Sequence, residues 1–287
     1  MDELAVVTKA WALVAEVKPT DIPVPVEAYL NHVGAVLRPQ DDLEEDEAGF
    51  SFRNKGKWFV CVNAGDRLER RRFTACHELA HIILGLPSEH KAAPWWSYAK
   101  RPMAEIFCDV FAAELLLPLR LFRPLAEKMP ISFASVDELA ARFLASRTAT
   151  GSRFATVIKS PCAFVLSEQG KVRYAARSTS LREASAWIAP RRDLPPGCIS
   201  ERVRAGGNCL DVEKIDAENW FNDWDRGGIL MEEARHHEVW DQTLTLLSFE
   251  DEEIPPPTWA PPQQSEEDEL LPELDGVLRF KNKKRRP

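Results

Sequence analysis

The sequence predicts an α+β fold: a helical core that carries a histidine motif, then a helical unit, then a C-terminal α+β module. Three patterns support this prediction. Apolar residues recur at helical spacing through residues 72–85, strand-like runs lie at 35–37 and 57–62, and residues 163–175 have the pattern of a β-hairpin. A length of 287 residues leaves room for two or three domains.

Composition excludes several classes of protein. A net charge of -8 argues against a protein that coats nucleic acid indiscriminately. The N-terminus lacks the basic and then apolar order of a signal peptide, and no apolar run reaches the ~20 residues of a membrane helix. Six scattered cysteines without CxxC pairing predict free thiols. We therefore expect a cytoplasmic protein without membrane contact.

The first elements follow from periodicity and from proline positions. Residues 3–17 form an amphipathic pattern, and residues 26–32 follow a Pro-rich entry as a second short helix. The strands at 35–37 and 57–62 flank the acidic loop 41–47. Because the run 58–62 is almost entirely apolar, we expect it to be covered on both faces, and its edge is a candidate for pairing with an extended substrate.

The motif H-E-x-x-H occupies the next predicted helix, which Gly85 ends. Residues four apart lie on the same face of a helix, so His77 and His81 can direct their imidazoles at one cation. Glu78 is then placed to reach a water molecule beside that cation. This arrangement is the chemistry of a zinc hydrolase.

A catalytic zinc ion usually has a third protein ligand, and the helix predicted at 104–117 offers a carboxylate. Glu105 and Glu114 are nine positions apart and face opposite sides, so that only one can reach the metal. Pro87 stands six residues after His81, which excludes a third histidine of the metzincin type. Glu89 and His90, on an irregular stretch, remain alternatives.

The position of Asp109 favours Glu105. It lies one turn after Glu105 and could accept the remaining N–H of a ligand histidine, in the outer shell of the site. A simple surface charge is the alternative for Asp109.

Two stretches carry a resemblance to a known family. R-R-F-T-A-C-H-E-L-A-H at 71–81, and E-x-x-C-D-x-F-A-A-E-L-L-L-P at 105–118, resemble the ImmA/IrrE family of metallopeptidases. The likeness covers roughly residues 3–155. It implies a zincin-like, gluzincin-type core with Zn2+ held by His77, His81 and Glu105, and with Glu78 as the catalytic residue. The family more often has Ala-Asn where this chain has Cys108-Asp109, a change that sits beside the metal but removes no ligand.

Residues 132–156 suggest a helix-turn-helix, similar to the unit that follows the peptidase core in radiation-response members of the family. Its helices are predicted at 136–143 and 147–154. In a DNA-binding interpretation Arg147 and Arg153 would touch DNA. Gly151 weakens the second helix and basic residues are few, so we favour a structural or protein-docking role.

The remaining chain divides by composition. Residues 163–167 and 171–175 predict a hairpin, residues 181–188 a helix, and residues 238–246 a late strand. The acidic and Pro-rich end predicts a disordered tail with a basic terminus. The predicted organisation is a peptidase domain at 1–130, a helix-turn-helix-like unit at 131–156, a sensor or docking module at 157–250 and the tail at 251–287.

The predicted function is zinc-dependent endoproteolysis. Family resemblance implies a helix-turn-helix transcriptional repressor as substrate, whose cleavage derepresses stress or mobile-element genes. Tyr98 and His90 are candidates for stabilising the oxyanion. The alternative is a DNA-binding or scaffolding regulator with a structural zinc and no peptidase activity; the intact Glu78 favours the enzyme.

Overall fold

The computed structural model describes residues 2–44, 47–87, 102–206, 212–251 and 253–256, and its helices and strands agree with the predicted α+β class. Residues Met1–Pro255 form one compact unit. The helices are α1 (Glu3–Val17), α2 (Val26–His32), α3 (Leu68–Leu84), α4 (Met103–Leu116), α5 (Leu119–Ala126), α6 (Phe133–Phe143), α7 (Arg147–Val157), α8 (Thr179–Glu183), α9 (Ile199–Arg204) and α10 (Ala217–Trp220). The strands are β1 (Ala35–Gln40), β2 (Gly49–Asn54), β3 (Lys57–Asn63), β4 (Cys162–Glu168), β5 (Lys171–Arg177), β6 (Glu213–Asp216), β7 (Ile229–His237) and β8 (Gln242–Phe249).

The first sheet has the strand order β1-β3-β2. Strand β3 pairs in parallel with β1 and antiparallel with β2, so both of its edges are occupied. The expectation that β3 holds a substrate by edge pairing is therefore wrong. Strand β2, which the sequence did not predict, lies between the acidic loop and β3 and forms an edge of this sheet in the described part of the chain.

Helices α3 and α4 pack against each other and confirm the two helices predicted around the histidine motif and at 104–117. Gly85 ends α3 in the left-handed conformation, with φ of 66°, as the sequence predicts. Helix α4 follows Pro102 and ends before Pro118, whose ring cannot continue a helix. This packing brings the motif helix against the helix that carries the predicted third ligand.

Helices α6 and α7 lie where the helix-turn-helix was predicted, with Ser132 and Ser146 as their N-caps. Helix α7 packs against α5, α6, β4 and β5, and Arg147 is its only exposed residue. A Cβ atom at Gly151 would lie 2.2 Å from the ring of Phe164 on β4, so the glycine permits this close approach. Helix α7 is therefore enclosed along most of its surface.

The second sheet is antiparallel throughout, in the order β5-β4-β8-β7-β6. The predicted hairpin is confirmed as β4 and β5, joined at Gln169-Gly170. The predicted helix at 181–188 is wrong in extent, since α8 ends at Glu183, and the strand predicted from 238 begins only at Gln242, after a short 3-10 helix.

One face of the second sheet packs on α6 and α7. Arg235 of β7 forms an ion pair with Asp137, which Arg147 also contacts at 2.5 Å. Burial raises the pKa of Asp137, but hydrogen bonds from both arginines outweigh burial and lower it. Asp137 therefore joins both helices to the second sheet.

One hydrophobic core extends from α1 through α7 to strands β4 and β8. It is continuous across residues 130 and 156, where domain boundaries were predicted; those boundaries stay predictions. Most of the predicted tail, from residue 257 onward, lies outside the described residues.

Candidate metal centre

Helix α3 presents the histidine motif to the interior of the protein. His77, Glu78 and His81 are all buried. His77 and His81 lie one turn apart, with 3.0 Å between their Nε2 atoms. The helical spacing therefore brings the two imidazoles together, as the motif predicts.

Helix α4 faces this motif with Glu105, Cys108 and Asp109, which share one side of the helix because they are spaced i, i+3 and i+4. The Glu105 carboxylate lies 3.1 Å from His77 Nε2 and 3.5 Å from His81 Nε2. Glu105 is thus the carboxylate that the fold brings to both histidines.

The outer nitrogen of each histidine is held by an acceptor. His77 Nδ1 lies 2.9 Å from Asp109 Oδ1, and His81 Nδ1 lies 3.3 Å from the carbonyl oxygen of Leu86. A carbonyl or an ionised carboxylate can only accept, so each Nδ1 carries the proton in the neutral ring. Asp109 thus stands where the sequence places it, against a motif histidine.

It follows that each Nε2 presents a lone pair toward the Glu105 carboxylate. Three acceptors 3.0–3.5 Å apart repel one another unless a cation lies among them. Two imidazoles and a carboxylate, with the rings oriented by outer partners, form a donor set that zinc commonly takes in proteins. The residues present therefore fit a divalent metal ion.

The electrostatics of the cluster also favour positive charge. Burial lowers the pKa of His77, but hydrogen bonds to Asp109 and Glu105 outweigh burial and raise the pKa to about 9. Burial raises the pKa of Glu105, whereas its hydrogen bonds with His77 and His81 lower it, and the net shift is downward. In the absence of a metal, a proton on His77 partly fills the same role.

Glu78 points toward the first sheet. Ser51 Oγ on β2 donates to Glu78 Oε2 at 2.9 Å. The close packing of β2 on α3 depends on Gly49, where a Cβ atom would lie 2.7 Å from Thr74 Cγ2. The edge strand therefore holds the carboxylate that follows the first motif histidine.

Glu114 is engaged far from this cluster. Its carboxylate accepts two hydrogen bonds from Arg153 of α7, at 2.5 and 2.6 Å, and one from Trp11 Nε1 of α1 at 2.7 Å. Arg153 is consequently held in a largely buried ion pair, which opposes the suggestion that it touches DNA.

Sequence reasoning placed Cys108 beside the metal without considering it as a ligand, and it missed Ser51. The His77, His81 and Cys108 ligand atoms all lie within 4.8 Å of one another, so these three residues form a group that could hold a metal. A buried cysteine on an apolar helix resembles ordinary packing, and only its i+3 spacing from Glu105 indicated otherwise. Ser51 lies on strand β2, which the sequence did not predict, and no sequence pattern indicated its contact with Glu78.

Three predicted candidates lie outside the described residues: Glu89 and His90, considered as ligands, and Tyr98, considered with His90 for the oxyanion. Among the described cysteines, Cys61, Cys76, Cys108, Cys162 and Cys198 are free thiols, as predicted.

Comparison with known proteins identifies the region that carries the cluster. Residues 30–154 match the IrrE N-terminal-like domain, Peptidase_M78. Residues 30–154 belong to the ImmA/IrrE family. This match includes both α3 and α4 and extends through most of α7, so the ImmA/IrrE region contains every residue of the cluster described above.

A solved structure described as a Mycobacterium tuberculosis transcriptional regulator has a similar fold, with a TM-score of 0.58. The two sequences are 16% identical, and the similarity covers 86% of this chain and 76% of the other. It therefore extends beyond the ImmA/IrrE region, and it shows the fold alone. No curated protein matches the chain. None of the described helices combines the length and the apolar character needed to cross a membrane.

Proposed function

We propose that this ImmA/IrrE protein is a zinc metalloendopeptidase that cleaves a helix-turn-helix transcriptional repressor. The observation that carries the proposal is the convergence of His77, His81 and Glu105, with Glu78 adjacent on the same helix. A purely structural metal site has no need of Glu78, whereas hydrolysis requires a base beside the metal.

His77, His81 and Glu105 would hold the zinc ion, which supplies Lewis-acid activation of water and of a carbonyl at neutral pH. Glu78 accepts the proton of the attacking water as a general base and then passes it to the leaving amine. The hydrogen bond from Ser51 fixes the position of the Glu78 carboxylate. Asp109 fixes the ring of His77 through Nδ1.

Strand β2 is the best-placed element to hold an extended substrate. In the described part of the chain it pairs only with β3, and its residue Ser51 contacts Glu78. A peptide that adds to this edge by backbone hydrogen bonds passes beside the general base. This role replaces the one that the sequence suggested for β3.

The proposed substrate and setting follow from the family. Members of this kind act on helix-turn-helix repressors in the cytoplasm, and the proteolysis derepresses stress or mobile-element genes. The five-stranded sheet and its helices provide surfaces away from the cluster for docking such a partner. Selective docking would protect other cytoplasmic proteins from cleavage.

The test is cleavage by the full chain. Purified protein, loaded with zinc, is incubated separately with helix-turn-helix repressors encoded next to its gene and with casein, and products are identified by mass spectrometry. We expect one cut in one repressor and almost none in casein. Glu78→Gln keeps the shape of the side chain but not its basicity, so it should retain zinc and lose about 10²–10⁴ in rate.

Full cleavage by Glu78→Gln would remove the proposed role of that residue. Vigorous digestion of casein by the wild type, abolished in Glu78→Gln, would indicate a general peptidase instead. Ser51→Ala provides a graded comparison: it should lower kcat several-fold and leave zinc content unchanged, because it removes one hydrogen bond to the base.

A second candidate function is a DNA-binding or scaffolding regulator with a structural zinc. The name of the solved structure with a similar fold, a transcriptional regulator, favours it. The enclosure of α7 and the burial of Arg153 oppose it, since a recognition helix needs a free face to enter a groove. Tight, sequence-specific DNA binding by the full chain without any proteolysis would establish this second function.

A further inference from the structure

We propose that the Cys108 thiolate is an additional ligand of the same metal ion, so that the site has four protein donors rather than three. This inference rests on the proposed function for the existence of the metal centre. It concerns a residue that stands where the family more often has alanine, and it predicts a sulfur-bound metal.

The geometry supports this ligand. Cys108 lies one turn after Glu105 on the face of α4 that meets α3, and its side chain is fully buried. Its Sγ atom lies within 4.8 Å of the ligand nitrogens of both His77 and His81. In a tetrahedral zinc site the donor atoms are about 3.5 Å apart. A shift of about 1 Å, shared among small movements of the Cys108, His77 and His81 side chains, would complete the coordination.

A sulfur ligand at Cys108 would change which metal ions the site prefers. A thiolate is a soft donor, which favours zinc over magnesium, calcium or manganese. On binding, the thiol loses its proton to solvent, so no oxidant or other reactant is needed. The alternative is that Cys108 has only a packing role in the core, as small buried cysteines often do. The two alternatives differ in whether a metal–sulfur bond forms.

A fourth protein donor has a functional consequence. Catalytic zinc sites keep one position open, whereas sites with four protein ligands are closed. Water and Cys108 would therefore compete for one position, and the protein would alternate between an open centre with His77, His81 and Glu105 as ligands and a closed centre that includes sulfur.

Cobalt substitution tests the inference by a readout other than activity. The full-length protein is stripped of metal, loaded with one equivalent of Co2+ under reducing conditions, and its absorption spectrum recorded. We expect a near-ultraviolet thiolate-to-cobalt charge-transfer band in the wild type and its absence in Cys108→Ala. Competition with a chelator should also show that Cys108→Ala binds zinc at least about tenfold more weakly, the lower limit that the loss of an outer partner alone can cost.

Cys76→Ala is the matched control. Cys76 is equally buried and directly precedes His77, but its electrostatic neighbours are Arg72 and Glu27, on another side of α3. The control should keep the charge-transfer band.

The outcomes separate this inference from the proposed function. A wild-type cobalt protein with visible d–d bands but without the charge-transfer band would overturn the sulfur ligand and leave the metal centre intact. Persistence of the band in Cys108→Ala, or its loss in Cys76→Ala, would likewise overturn it. Failure of the wild type to bind cobalt or zinc would overturn both proposals. Should Cys108→Ala fold poorly, which circular dichroism reveals, Cys108→Ser is the second variant, and persistence of the band in Cys108→Ser would overturn the sulfur ligand.

Discussion

Replacement of Arg153 by methionine tests whether a buried ion pair holds α7 to α4. The guanidinium donates to both oxygens of Glu114 and, at 2.9 Å, to the carbonyl of Leu117, and the two charged side chains are only 13% and 9% exposed. Methionine preserves length but removes these donors, leaving Glu114 with the bond from Trp11 among its described contacts. Loss of one partner from a buried pair costs about 3–5 kcal/mol, a large part of the 5–15 kcal/mol that stabilises a typical protein.

The assay is urea denaturation followed by tryptophan fluorescence, with a double variant as control. Glu114→Gln combined with Arg153→Met removes both charges, so no uncompensated charge stays buried. We expect the double variant to be more stable than Arg153→Met alone by at least about 1 kcal/mol. A loss below about 1 kcal/mol in the single variant, typical of a solvent-exposed pair, would refute the reasoning. So would simple additivity of the two single variants.

Three further predictions concern separate parts of the molecule. Glu105→Gln should lose zinc, measured by atomic emission, while Glu114→Gln keeps about one equivalent; the reverse result would show that the ligand choice is wrong. Gly151→Ala should lower the free energy of unfolding by about 1–3 kcal/mol, because its Cβ would lie 2.2–2.8 Å from ring atoms of buried Phe164, and a stabilising effect would contradict this packing. The lowered pKa of Asp137 contributes stability above the pKa of the unfolded state, about 4, and this contribution is lost as pH falls through the folded value. Asp137→Asn should therefore be less stable than wild type by about 0.5–1 kcal/mol near pH 7 in urea titrations, with a difference that shrinks below about pH 4 and that must not grow there.

The sequence alone predicted those features that are determined by residues close together in the chain. The motif helix and its end at Gly85 follow from helical periodicity and from the conformational freedom of glycine. The helix after Pro102 and the turn at Gln169-Gly170 are equally local. The position of Glu105 beside both histidines was also expected, because two candidate ligands on one helix call for a third from a neighbouring element.

Features that depend on distant partners were not predictable. Strand β7 was missed because Glu232 lies on its buried face, where a strand pattern calls for an apolar residue, and long-range hydrogen bonds from Ser200 and Trp220 satisfy that carboxylate. Arg153 was considered for DNA because nothing local indicates its pairing with Glu114, 39 positions earlier. Cys108 was expected beside the metal but not as a ligand, because the distance from its sulfur to the histidines depends on the packing of α4 against α3.

The three acceptors that face one another across α3 and α4 make folding and metal binding a single linked equilibrium. An ion that binds the folded chain and not the unfolded chain adds about 2.7 kcal/mol of stability at a free concentration 100 times its dissociation constant. Each further tenfold rise adds about 1.4 kcal/mol. The midpoint of thermal unfolding would thus rise by a few degrees for each tenfold increase in free zinc. The abundance of the folded protein would then follow the zinc available to it, independently of any substrate.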